Sequence, residues 1–135
     1  VEYEDQIERF IADTDASTVG ICFDIGHHAY RRGDPIAFYR KYHKRIEYLH
    51  LKSIDGIIHE TCEKEEWTFG RAVTEGIFCE PKYGTVNYID FSQALRETHY
   101  RGFAIVEQDL YPCPVDKPLP IARRTREYLR EIGIG

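Results

Sequence analysis

Residues 46–52 read IEYLHLK, and this stretch decides the fold. It is short, apolar, β-branched or aromatic, and flanked by helical patterns rather than hairpin turns, which is how a buried parallel strand reads. Side chains alternate along a strand, so Leu49 and Leu51 face a helix layer while His50 shares the other face with Tyr48 and Lys52. Two further runs follow the same rule, residues 18–24 (TVGICFD) and residues 103–108 (FAIVEQ). Asp24 lies opposite Ile21 and Phe23, and Glu107 lies opposite Ala104 and Val106. Each strand thus delivers one ligand-type side chain, Asp24, His50 or Glu107, to its C-terminal end and to the face turned away from its aliphatic residues.

Helices fill the intervals between strands. EYEDQIERFIA opens the chain. Asp34-Pro35 is an N-cap with proline at the first helical position before IAFYRKYHKR, and residues 59–76 carry helical spacing. Asn87 or Asp90 caps FSQALRETHY, and Pro120 opens IARRTREYLREIG with Gly133 as its stop. Helices alternating with strands predict an α/β protein with a parallel sheet in one domain. Three strands are few for a complete sheet, and a closed (β/α)8 barrel takes about 250 residues. The 135-residue chain therefore reads either as a small open sandwich or as the last part of a larger barrel.

Eighteen Lys and Arg against 23 Asp and Glu leave a formal charge of −5, which opposes binding to a phosphate backbone. No run approaches about 18 apolar residues, so no membrane span is expected. The four cysteines form no CxxC pair, a pattern of free thiols in a reducing cytoplasm rather than a structural zinc site.

Parallel α/β folds place their sites at the C-terminal ends of the strands. Two carboxylates and an imidazole there form a donor set suited to Mn²⁺, Co²⁺ or Mg²⁺, and less to Zn²⁺. The competing reading is a structural histidine salt-bridged between two acids. His27, three residues past Asp24, is placed to be a further ligand or a substrate contact. Such an ion would act as a Lewis acid, and a carboxylate such as Glu107 is the natural base beside it.

At these residues a family resemblance becomes specific. FDIGHHAYRRGDP, YLHLKSID, EGIFCEPKYGTVNYIDF and FAIVEQDLYPCPVDKPLPIARRTREYLREIGIG resemble the C-terminal part of the xylose isomerase-like TIM-barrel superfamily. The likeness is nearest to its sugar phosphate isomerase/epimerase and inosose dehydratase branch, whose members read DTGH, HLKD and VEQD at three strand ends. It implies that residues 1–135 are the last three βα units of one (β/α)8 domain, with metal ligands Asp24, His50 and Glu107. It implies substrate contacts at His27 and Lys52 and a further Glu ligand from an earlier strand. The activity implied first is a metal-dependent isomerase or epimerase of a ketose or keto-polyol. Dehydration of a keto-inositol is the alternative, and an endonuclease-like phosphodiesterase is the runner-up from another class. Ser53 stands where the family has Asp, and Lys82 and Asn87 stand in a loop where it has Gly and Asp, which puts substrate identity in question. Two open sheet edges lead us to expect self-association and unusual exposure of Tyr48, Phe103 and Ile105.

Overall fold

Three runs of β-branched and aromatic residues pair in parallel to form the central sheet of the computed structural model, which describes residues 2–135. They are β1 (Ile21–Asp24), β2 (Ile46–Leu51) and β5 (Phe103–Val106), in the order β1-β2-β5. Asp24 pairs with His50 and His50 with Ile105, so the register lines up the strand ends. The Glu107 amide donates to the Leu51 carbonyl at 3.2 Å and carries the ladder one residue further.

Helices α1 (Glu4–Ala12), α3 (Pro35–Tyr42), α6 (Tyr88–Glu97) and α7 (Pro118–Glu131) supply one layer. Ile11, Phe38, Tyr39, Phe91, Ala94 and Leu129 pack there against Phe23, Leu49 and Leu51. The opposite face of the sheet is open: Phe103 is 72% exposed and Ile105 41%, as their parity led us to expect. The three strands do not close into a barrel.

Polar caps set the helix starts. Asp34 accepts from the amides of Ile36 and Ala37, and Asn87 from those of Ile89 and Asp90, satisfying amides that have no partner inside the helix. Helix α7 begins at Pro118, two residues before the expected Pro120, because both prolines fall in the first turn, where a missing N–H costs nothing.

The helix expected over 59–76 is two helices, α4 (Gly56–Lys64) and α5 (Phe69–Thr74). Glu66 has φ +51°, and Thr68 caps the second helix through the Arg71 amide. Between β2 and α4 lies β3 (Ser53–Ile54), paired antiparallel with β4 (Phe78–Cys79). Ile54, Cys62, Ala72, Ile77 and Phe78 form a second small core with Tyr30. Ser53, the departure from the family pattern, is buried, and its hydroxyl accepts from the Val86 amide at 3.1 Å. Gly84 is required opposite it, since a Cβ there would lie 2.1 Å from Ser53 Oγ.

Candidate metal centre

Asp24 ends β1 and is also the N-cap of α2 (Ile25–Tyr30). Its two oxygens divide these duties. Oδ1 accepts from the His27 amide at 2.9 Å, which orients the carboxylate. Oδ2 is left to face His50 Nδ1 at 3.3 Å. From β2, His50 turns the same nitrogen to Glu107 Oε2 at 2.7 Å. Its Nε2 lies 3.7 Å from the Cys22 thiol. Burial, reinforced by the charges of Asp24 and Glu107, pushes that thiol's pKa up, so Cys22 is a poor thiolate donor beside them.

Asp24, His50 and Glu107 each present one donor atom within 4.8 Å of the others. Donors on opposite sides of an ion at about 2.1–2.3 Å stand about 4.2–4.6 Å apart, so these positions can share a divalent cation with little movement. A second observation points the same way. Glu107 Oε2 is buried without a hydrogen bond, although two cationic or polar nitrogens lie within 3.4 Å. One imidazole nitrogen cannot donate to two carboxylates at once, and an oxygen left unsatisfied among such donors is what a cation would complete. The residues present therefore fit an oxygen-rich divalent ion, with donors that suit Mn²⁺, Co²⁺ or Mg²⁺.

His27 and Lys52, the expected substrate contacts, differ in position. The His27 side chain is 43% exposed, with Nε2 3.6 Å from Asp109 Oδ2, and its ring packs on Phe78 at 4.9 Å and on Phe69 at 5.6 Å between centroids. Lys52 has no exposed surface. Its ammonium lies 2.8 Å from Asp109, 3.0 Å from Asp24 and 3.4 Å from Glu107. Burial opposes this charge, yet the hydrogen bond to Asp109 and the nearby Asp24 outweigh it and hold the pKa above the ordinary lysine value.

Asp109 was not singled out from the sequence. Strand parity says nothing of it, because β5 ends at Val106 and the chain beyond is irregular. The only available signal was its place in the VEQD stretch. A groove of about 630 Å³ runs along the free edge of β1 and is lined by Asp24, His27 and Phe69 among others, but by neither His50 nor Glu107.

Known proteins resemble the chain over nearly its whole length. A family model described as a xylose isomerase-like TIM barrel matches residues 2–132. The inosose dehydratase of Clostridium beijerinckii is 34% identical over 131 residues, which cover 97% of this chain and 44% of the relative. The rhizopine catabolism protein MocC of Rhizobium meliloti is 34% identical over 133 residues, 98% of this chain and 40% of that protein. The chain thus spans less than half the length of these curated relatives. Among solved structures, that of the probable 3-DHS dehydratase AsbF of Bacillus anthracis superposes with a TM-score of 0.70 at 18% identity. The match covers 96% of this chain and 44% of AsbF, and at that identity it speaks for the fold alone.

Proposed function

The chain belongs to the xylose isomerase-like TIM-barrel family, and from that premise we propose that it is the C-terminal part of a divalent-metal-dependent dehydratase of a keto-inositol. The observation that carries the reading is the convergence of Asp24, His50 and Glu107 at three strand ends. The inosose dehydratases at 34% and 33% identity favour water loss over the isomerase or epimerase outcome, which shares the same first step. In this reading residues 1–135 are one portion of a single barrel domain. The substrate is a small polyol ketone, and the net charge of −5 opposes a nucleic-acid substrate. No helix among the described residues is long and apolar enough to cross a membrane, and a reducing cytoplasm suits the four free thiols.

Asp24, His50 and Glu107 hold the cation, which when bound polarises the ketone and its neighbouring hydroxyl. Glu107 has the most open side chain of the three, 39% exposed, and is the carboxylate that takes the proton from the carbon beside the ketone. His27 faces the groove from one turn above Asp24 and contacts the substrate. Lys52 offers the substrate no exposed atom.

The test is turnover by the whole protein of a keto-inositol with Mn²⁺ or Co²⁺ in D₂O. Solvent deuterium should enter beside the ketone, and loss of water should give a new dione absorbance. Glu107→Gln should lower both at least about 100-fold, through lost cation affinity and a lost base. Deuterium exchange with an epimer or aldose product would move the reading to an isomerase. Cleavage of abasic DNA without exchange would overturn both.

A further inference from the structure

Among the described residues Lys52 is the one fully buried lysine or arginine. Its backbone carbonyl accepts from the Tyr88 hydroxyl at 3.0 Å, and Tyr88 is itself buried. Its methylene chain passes over Gly26, where any Cβ would stand 2.4 Å from Lys52 Cγ. Its ammonium rests 4.9 Å from the centre of the Phe78 ring and reaches three carboxylates, those of Asp109, Asp24 and Glu107. An ammonium has three donors, and three carboxylates face it. Only the contact to Asp109 is a hydrogen bond, and the fully buried ammonium presents no surface to a substrate hydroxyl.

We propose that Lys52 is the built-in counter-cation of this site, a positioning residue that holds Asp24, Glu107 and Asp109 together in the metal-free protein. Three carboxylates against one ammonium leave two formal negative charges, the number that a divalent ion neutralises. Without the ammonium, three acids would crowd one half-buried spot, where mutual repulsion is weakly screened. Asp109 is held by the shortest of the three contacts, its Oδ2 accepting from Lys52 at 2.8 Å. This placement rests on the proposed metal site only for its metal arm, since the ion pairs stand without it.

The experiment compares wild type with Lys52→Met, Asp109→Asn and the double variant, reading thermal unfolding with and without Mn²⁺ alone, and then KM and kcat. Lys52→Met should lower the metal-free Tm by roughly 10 °C, as expected when one partner of a buried ion pair is removed. Mn²⁺ should raise the Tm of this variant more than that of wild type, because the unbalanced third carboxylate is then opposed. The double variant has two formal negative charges again and should recover most of the metal-free loss. Should Lys52→Met be insoluble, a soluble double variant carries the same conclusion. In kinetics, kcat should fall more than KM rises. A Lys52→Met protein with unchanged metal-free Tm and a raised KM would make Lys52 a substrate contact and overturn the proposal, as would a double variant no more stable or soluble than the single one. If Mn²⁺ shifts neither protein, the metal reading fails, while the metal-free loss and its recovery still decide the role of Lys52.

Discussion

The two faces of the central sheet are made by the same three strands and have opposite fates. On one face Phe23, Leu49 and Leu51 are almost wholly covered by helices, with Phe23 stacked on Phe38 at 5.0 Å between ring centres. On the other, Cys22, Phe103 and Ile105 are exposed although two of them are large and apolar. Apolar surface left open on one side is costly, so it marks a face whose cover lies elsewhere. In a (β/α)8 barrel this is the inner face, filled by side chains from the other strands. Asp24, His50 and Glu107 stand on that same face at the C-terminal edge, so the helix-covered side holds the core and the open side carries the proposed site.

The contrast is most directly attacked at Leu49, which is fully buried in the helix-side core. Leu49→Ala should cost about 2–5 kcal/mol, read as a lower urea midpoint. A loss under about 1 kcal/mol would mean that the helix layer does not carry the fold.

A smaller effect is expected at His28, on the covered side, where the imidazole sits between Phe23 and Phe38. Burial pushes its pKa down against the pull of Asp34. Glu4 Oε2 lies 3.3 Å away but makes no hydrogen bond to the ring. The unfolded chain therefore binds this proton at higher pH than the folded one. Stability should fall as pH drops below the unfolded value of about 6.5 and level off below the folded pKa. Urea titrations at pH 7.5 and 5.5 should show this slope in wild type and lose it in His28→Leu. Equal stability of wild type at both pH values would remove His28 as its source.

The smallest change in stability belongs to the open face. In the 135-residue chain by itself, Phe103→Ser should alter stability by no more than about 0.5 kcal/mol, while sedimentation shows weaker self-association. A large loss of stability there would break the contrast, because it would mean that Phe103 is already packed.

Much of this arrangement was legible in residues 18–24, 46–52 and 103–108, because alternation along a strand is a local rule. It assigned Leu49 to the covered face and put Asp24, His50 and Glu107 on one side before any contact was known. The break at Glu66 was not legible, since a left-handed residue inside a helical pattern leaves no mark when it is not glycine. The two-residue strands Ser53–Ile54 and Phe78–Cys79 are too short for periodicity to register.

The sequence by itself determined which side chains reach the strand ends and which family they belong to, because both depend on residues near one another along the chain. Only the tertiary structure decided what Lys52 does. Its three carboxylates come from 28 residues before it and from 55 and 57 residues after it, and burial and charge balance depend on the groups that meet in space. Strand parity had put Lys52 on the face of His50, and there its ammonium meets Asp24 and Glu107. That it would be fully buried was beyond any local rule, because the groups that cover it and balance its charge are distant along the chain.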